Sequence, residues 1–250
     1  MGTDNLAPMR VVVVVPTYQE AENVDRFLRA VRVAVPVASV LVVDDDSPDG
    51  TGTIAEATAA EVGQVSVLHR NAKEGLGAAY REAFEQVLRE GADIVVQMDC
   101  DFSHDPAMIG RLVEAVADGA DCSIGSRYVP GGATPNWPLH RRLLSRYGNL
   151  YTSAVLGLGL TDATSGFRAY RAETLRRIDV ASTRSNGYAF MSEIAHRMAR
   201  LHMRIEEIPI TFVDRVYGTS KMSVRIIAES MLRVTLAGIR ARFGREPLPT

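Results

Sequence analysis

The chain has 250 residues, of which 46% are hydrophobic and 23% charged, so it suits one large globular α/β domain or two small ones. Its two cysteines, Cys100 and Cys122, argue against a disulfide scaffold, and no run reaches the roughly 18 apolar residues that a membrane span needs. The net charge of −2 hides an asymmetry between the two halves of the chain. Residues 1–126 carry 9 Lys/Arg and 21 Asp/Glu (net −12), whereas residues 127–250 carry 19 Lys/Arg and 9 Asp/Glu (net +10). This asymmetry favours a cation as partner of the first half and an anion as partner of the second.

Strand and helix patterns alternate through the first half of the chain. Continuous apolar runs, typical of strands buried on both faces, predict strands at 10–16, 39–47, 65–69, 93–98 and 120–126. Helical spacing of apolar residues predicts helices at 20–31, after residue 51, at 76–91 and at 106–119. This alternation predicts an α/β fold with a mainly parallel sheet and helices on both faces.

The second half of the chain is less regular. It predicts one or two helices over 137–160, a short strand or turn that becomes helical over 165–178, a helix over 189–203, a strand over 204–213, a polar loop over 214–223 and a last helix over 224–244. We find no internal repeat.

Polar segments follow three of the predicted strands, at 16–20, 44–51 and 99–105. Ligands of open parallel sheets bind at the carboxyl ends of the strands, so these segments should converge on one edge. Asp99 and Asp101 would repel each other there, and a divalent cation such as Mg²⁺ or Mn²⁺ would offset the repulsion. Because Mg²⁺ is often shared between carboxylates and substrate phosphates, the pair suggests a phosphate-bearing substrate. The alternative, a helix N-cap, suits Asp105 before Pro106 but does not explain the other two acids.

Six motifs in this order extend the interpretation: "VVPTYQEAENV", "LVVDDDSPDGT", "MDCDFSHDP", "GSRYVPGG", "SGFRAYR" and "GTSKMS". Together they resemble the inverting GT-A glycosyltransferases, specifically the polyprenol- or dolichol-phosphate mannose synthases, over about Val11 to Ser223. The resemblance implies a GT-A fold with a Rossmann-like sheet over residues 1–222, including a mobile loop at 214–222, and a C-terminal basic amphipathic helix and tail at 223–250. It also implies metal-dependent transfer of mannose from GDP-mannose to polyprenyl phosphate with inversion.

The resemblance implies a donor site as well. Its nucleotide-sugar residues would be Pro16, Tyr18, Glu20, Val42, Asp44, Asp99, Cys100, Asp101, Arg215 and Lys221. Asp99 and Asp101 would bind the metal with Ser103, whose ligation is either direct or through water. Asp45 would be structural, and because relatives often carry Ala where Cys100 stands, no nucleophilic thiol is expected.

On the acceptor side, the resemblance implies that Arg127, Arg141 and Ser145 bind the lipid phosphate, and that Asp101, Arg127 and Arg141 are the catalytic residues. The guanidinium fork of Arg suits two phosphate oxygens at once. A phosphate monoester has a second pKa of about 6, so it arrives as an oxyanion and needs no general base. Glu193 and His196, both on a predicted helix, are therefore interpreted as structural.

Three other functions stay open on the sequence. A polyprenyl-phosphate glucosyltransferase using UDP-glucose would share the motifs. A sugar nucleotidyltransferase shares the alternating pattern but opens with a glycine-rich basic loop, where this chain has "PTYQEAE". A catalytically inactive binding module is disfavoured by the joint presence of Asp99, Asp101, Arg127 and Lys221.

A polyprenol tail cannot enter water, so the site must reach a membrane surface. Residues 223–250 carry five Arg and two Glu around apolar residues, and Leu139–Leu160 has a similar basic and apolar pattern. The alternatives are that the last helix packs on the domain, or that an integral membrane partner recruits the chain. With no apolar signal region at the N-terminus, we expect a cytoplasmic protein, peripheral at the cytoplasmic face of the membrane, with no nucleic-acid partner.

Overall fold

The computed structural model describes residues 9–215 and 224–242. It contains one sheet of seven strands: β1 (Val11–Thr17), β2 (Ser39–Asp44), β3 (Val65–His69), β4 (Ile94–Gln97), β5 (Cys122–Ser126), β6 (Arg168–Arg171) and β7 (Ile205–Pro209). Their order is β3-β2-β1-β4-β6-β5-β7. Every neighbouring pair is parallel except the two that involve β6, which runs antiparallel to β4 and β5. The prediction of a mainly parallel sheet is confirmed.

Helices cover both faces of this sheet. They are α1 (Val24–Ala34), α2 (Thr51–Val62), α3 (Leu76–Arg89), α4 (Ile109–Ala117), α5 (Leu139–Leu156), α6 (Ala172–Arg177), α7 (Tyr188–Arg200) and α8 (Val224–Arg242). The valine run of β1 explains why both faces need a cover. Val12 and Val14 pack in one apolar cluster with α3 and α7, whereas Val11, Val13 and Val15 pack in another with α1 and α4.

Two sequence ambiguities are resolved by the structure. The segment at 137–160 forms the single helix α5. The helix predicted from Pro106 begins with a 3₁₀ turn over Pro106–Met108, and the Asp105 carboxylate accepts a hydrogen bond from the Ala107 amide at 2.9 Å. The capping interpretation of Asp105 is thereby confirmed.

The last helix, α8, packs on the domain through one side. Val234 is buried, and a Cβ on Gly238 would come within 2.5 Å of Val155 on α5, so only glycine permits this approach. Leu232, Leu236 and Ile239 of the same helix are exposed. None of the helices in the described part of the chain is both long and apolar enough to cross a membrane.

Candidate active site

The carboxyl ends of β1, β2 and β4 bring the predicted acidic segments to one edge of the sheet. The Thr17 hydroxyl at the end of β1 donates to Asp44 Oδ1 at the end of β2, over 3.1 Å. Burial raises the pKa of the Cys100 thiol well above its usual range, and the nearby Glu20, Asp101 and Asp99 raise it further. The three acids therefore share one neighbourhood, and the thiol between them is protonated and unsuited to nucleophilic attack.

The end of β2 contains two neighbouring acids with different environments. Asp44 is buried and accepts hydrogen bonds from Thr17 and from the Ser47 hydroxyl, the latter at 2.6 Å. Asp45 forms an ion pair with the buried Arg70. The ion pair gives Asp45 the structural role predicted for it. Asp44 stays in a polar environment at the carboxyl end of β2.

The other predicted donor residues differ in their contacts and in their burial. Lys73 lies over the Tyr18 ring, with Nζ 3.6 Å from the ring centroid, and Glu20 accepts a hydrogen bond from Asn23 Nδ2 at 2.8 Å. Val42 is fully buried in the cluster beneath α1, as is almost all of Cys100, so their side chains pack in the core. Pro16 is partly buried at the end of β1.

The pair after β4 provides oxygen ligands of the type that Mg²⁺ and Mn²⁺ prefer. Asp101 Oδ1 accepts a hydrogen bond from the Ser103 amide at 3.0 Å, and Oδ2 lies 3.3 Å from Nη2 of Arg215. Asp99 is partly exposed, with Oδ2 next to Gly166. No group of three or more His, Cys, Asp or Glu side chains within residues 9–215 and 224–242 is arranged to hold a metal. Two carboxylates suffice for Mg²⁺ where substrate phosphates complete its coordination, so the residues fit a shared metal.

The predicted acceptor residues meet around an aromatic residue that the sequence analysis missed. The guanidinium of Arg141 lies 4.0 Å from the centroid of the Trp137 ring, and that of Arg127 lies 5.9 Å from it. The Tyr128 hydroxyl donates to Ser145 Oγ at 2.6 Å. Arg127, Arg141 and Ser145, all predicted on the acceptor side, are thus brought to one side of the site.

Arg127 is already paired with a carboxylate, that of Asp162. Its Nε and Nη2 donate to Asp162 at 2.7 and 2.6 Å, and its backbone amide donates to the same group at 2.9 Å. Asp162 is fully buried. Nη2 also donates to the Thr164 hydroxyl at 3.1 Å, so Asp162 and Thr164 together hold the guanidinium in a fixed orientation.

Arg141 also meets a carboxylate, but an exposed one. Nη1 of Arg141 and Nε1 of Trp137 both donate to Oδ1 of Asp214, at 2.7 and 3.1 Å. Asp214 begins the segment predicted to be a mobile loop. Of that loop only Asp214 and Arg215 lie within the described residues; Lys221 lies outside them.

A buried histidine lies close to both the acidic and the basic residues of the site. The His104 ring packs against Phe167 and Phe212, and its Nδ1 has no hydrogen-bond partner among the described residues. Burial lowers the pKa of His104 to about 4, with a further contribution from the charge of Arg127. His104 is consequently neutral near pH 7, although the charges of both Asp101 and Arg127 act on it.

Glu193 and His196 make the structural contacts expected of them. Glu193 accepts from the Ser185 amide at 2.9 Å and forms an ion pair with Arg197. His196 Nδ1 lies 3.3 Å from the Leu156 carbonyl oxygen. These contacts join α7 to its neighbours and agree with the structural role predicted for both side chains.

Residues 12–179 match the profile of glycosyl transferase family 2. The chain is 52% identical to the undecaprenyl-phosphate mannosyltransferase of Micrococcus luteus, over 94% of this chain and 96% of the relative. It is 46% identical to the polyprenol monophosphomannose synthase of Mycolicibacterium smegmatis, over 94% and 89% of the two chains. Its fold is similar to that of glucosyl-3-phosphoglycerate synthase from Mycobacterium tuberculosis, solved with Mn²⁺, UDP and glucosyl-3-phosphoglycerate, with a TM-score of 0.70 at 18% identity over 97% of this chain and 83% of that one.

Proposed function

The chain belongs to glycosyl transferase family 2, and we propose that it transfers mannose from GDP-mannose to polyprenyl phosphate with inversion, giving a lipid-linked mannose donor. Mannosyl transfer to a polyprenyl phosphate is the activity named for the relatives at 52% and 46% identity. The single observation that best supports the proposal is the meeting of two charged clusters. The acidic cluster is Asp99 with Asp101, and the basic cluster is Arg127 with Arg141, whose guanidinium groups both lie over the Trp137 ring. The charges of Asp101 and Arg127 both act on His104, so the two clusters are close together.

The acidic cluster would hold the donor. Asp99, Asp101 and Ser103 would bind Mg²⁺ or Mn²⁺, which neutralises the donor diphosphate and stabilises it as a leaving group. The remaining nucleotide-sugar contacts are proposed for Pro16, Tyr18, Glu20, Val42, Asp44, Cys100, Arg215 and Lys221. For Val42 and Cys100, whose side chains are buried, the contact would come from the backbone.

The basic cluster would hold the acceptor. Arg127, Arg141 and Ser145 would orient the phosphate oxyanion behind the anomeric carbon and screen its repulsion from the donor diphosphate. No side chain is needed to remove a proton, since the second pKa of a phosphate monoester is about 6. The state of His104, buried and neutral, agrees with a reaction that requires no histidine base.

The experiment that separates this function from its rivals identifies the second product. Incubation with GDP-mannose, polyprenyl phosphate and Mg²⁺ should release GDP and a β-linked mannosyl phosphate lipid in equal amounts. Release of pyrophosphate in a parallel incubation with GTP and mannose 1-phosphate would identify a sugar nucleotidyltransferase instead. Binding of GDP-mannose without either product, in the presence of acceptor, would identify a binding module.

Arg141→Gln tests the acceptor assignment. Losing charge-assisted hydrogen bonds worth about 1.5–3 kcal/mol should raise the KM for polyprenyl phosphate roughly 10- to 150-fold. Calorimetry should find GDP-mannose binding unchanged. Arg177→Gln is the control for the loss of one arginine, because Arg177 is exposed on α6, outside the site and the apolar surface of α5 and α8, and its KM should stay within about two-fold. Loss of donor binding with normal acceptor handling in Arg141→Gln would reverse the assignment.

We further propose that the chain works as a peripheral protein at the cytoplasmic face of a membrane. The acceptor end continues into an apolar surface on α5 and α8, whose exposed members are Leu139, Leu143, Leu144, Tyr147, Leu150, Leu232, Leu236 and Ile239. Arg142 and Arg146 on α5, and Arg233 and Arg240 on α8, are exposed beside it. Exposed apolar residues flanked by arginine suit an interface with anionic lipid, at roughly 1 kcal/mol per Lys or Arg.

Flotation with liposomes tests this surface. The full chain should float with vesicles that contain anionic lipid, and the double variant Leu144→Glu/Leu236→Glu should float about ten-fold less, because two charges enter the apolar contact. Val33→Glu is the control, since Val33 is 81% exposed on α1 and outside this surface. No flotation of the full chain would reject direct lipid contact and leave recruitment by an integral membrane partner.

A further inference from the structure

Two adjacent residues of opposite charge lie between the acidic and basic clusters. Asp214 contacts the acceptor side, through Arg141 and Trp137, and Arg215 contacts the metal side, through Asp101. Each of these charged contacts is an ion pair: Asp214 pairs with Arg141, and Arg215 pairs with Asp101. The pair therefore links the two clusters through a single peptide bond.

Asp214 places a negative charge next to Arg141, where the proposed acceptor phosphate would also place one. Its Oδ1 accepts a charge-assisted hydrogen bond from Arg141 and a second from the Trp137 indole. A phosphate oxygen would seek these same donors. The Asp214 carboxylate and the acceptor phosphate consequently compete for Arg141.

Arg215 presents a cation where the metal would bind. Its guanidinium lies 3.3 Å from Oδ2 of Asp101, whose other oxygen already accepts from the Ser103 amide. Oδ2 is the Asp101 oxygen without a hydrogen bond from the Ser103 amide, and a divalent cation bound there would compete with Arg215. The two positive charges would also repel each other, so metal binding displaces this guanidinium.

The chain just before the pair is anchored. The Phe212 amide donates to the Ala133 carbonyl at 2.9 Å, and the Val213 amide donates to the Ser103 carbonyl at 3.2 Å. Neighbouring Cα atoms are about 3.8 Å apart, so a displacement of Arg215 that reaches its backbone also moves Asp214. The anchors hold Phe212 and Val213 in place, so the movement begins at Asp214.

We propose that Asp214 and Arg215 act together as internal substitutes for the acceptor phosphate and the metal ion, so that metal–nucleotide binding at Asp101 releases Arg141 for the acceptor. The inference rests on the proposed function. Asp214 is then a positioning residue, because it acts on the acceptor through Arg141.

The expected coupling is modest and reciprocal. The side chains of Arg141 and Asp214 are 41% and 50% exposed, and exposed ion pairs are worth 0.2–1 kcal/mol, or about 1.4- to 5-fold in affinity. Mg²⁺–GDP should therefore tighten the binding of a prenyl phosphate by up to about five-fold. By linkage the prenyl phosphate should tighten Mg²⁺–GDP by the same factor.

The first test uses Trp137, which is the only tryptophan of the chain. Titration with Mg²⁺ and GDP should change its emission, because the indole loses Asp214 and Arg141 moves. Because Arg215 is also a proposed donor contact, Arg215→Gln is titrated to the Mg²⁺–GDP saturation that calorimetry defines for it, and at equal occupancy the emission change should disappear. Binding with no emission change in the wild type, or an unaltered change in Arg215→Gln, would overturn the link and leave the proposed function standing. No Mg²⁺–GDP binding at all would overturn both.

The second test uses Asp214→Asn and a short-chain, water-soluble prenyl phosphate. Without metal, this variant should bind the probe up to about five-fold more tightly than the wild type, and Mg²⁺–GDP should add nothing further. In the transfer assay its acceptor KM should fall while kcat changes little. Asp118→Asn, which removes a charge from an exposed acid after α4, is the control for net charge. Equal or weaker probe binding by Asp214→Asn would overturn the proposal.

Discussion

Asp101→Asn should lower the rate of mannosyl transfer by about 10²–10³-fold or more, because an electrostatic contact to the leaving diphosphate is lost with the metal ligand. The amide can still accept the Ser103 hydrogen bond, so the melting temperature should change by only a few degrees. The measurements are the initial transfer rate at saturating Mg²⁺ and a thermal melt of the same preparation.

Asp105→Asn is the matched control for this variant. Asp105 belongs to the same motif, but its carboxylate caps the 3₁₀ turn through Ala107, and Asn caps equally well. Its transfer rate should stay within about two-fold of the wild type. Full activity of Asp101→Asn, or of the wild type in excess EDTA, would contradict the role given to Asp101.

Asp162→Ala should strongly destabilise the folded protein. It leaves the Arg127 guanidinium, whose side chain is 10% exposed, without its carboxylate, and breaking a buried pair costs about 3–5 kcal/mol. For a chain of this size each kcal/mol corresponds to about 2–4 °C, so the melting temperature should fall by roughly 6–20 °C.

Glu206→Ala removes one member of an exposed pair with Arg204 and should cost less than about 1 kcal/mol. A melting temperature of Asp162→Ala as high as that of this control would show that the buried pair does not stabilise the fold. The same pair makes Arg127→Ala a poor probe of acceptor binding, because that variant leaves Asp162 buried without its partner. Arg141, half exposed on α5, is the cleaner probe.

The strands that position the site could be predicted because their side chains are buried on both faces. The valine run of β1 and the run before Asp99 have no alternation to misread, and their polar ends mark the sheet edge. β6 was harder, because four residues containing two arginines carry too little pattern to distinguish a strand from a turn. Its antiparallel direction depends on its neighbours β4 and β5, which no local pattern specifies.

The charged residues of the site could be predicted, but their partners could not. Arg127 and Arg141 stand in recognisable motifs, whereas Asp162 and Asp214 meet them from 35 and 73 residues away. In continuous apolar segments, the sequence also does not indicate which side chains face the ligand. Val42 and Cys100 occupy motif positions, yet their side chains lie in the core. For a strand such as β2, which is buried on both faces, the period of two does not tell which face is nearer the ligand.

One transfer assay tests the proposed donor and acceptor together. The purified full-length chain is offered radiolabelled GDP-mannose and, separately, radiolabelled UDP-glucose, each with polyprenyl phosphate and Mg²⁺ or Mn²⁺, and label in the organic phase is measured over time. We expect metal-dependent transfer from GDP-mannose, with a kcat/KM at least about 100-fold above that for UDP-glucose, the size of preference that a few lost polar contacts produce. Equal or better transfer from UDP-glucose, or no lipid-linked label from GDP-mannose, would contradict the proposed function.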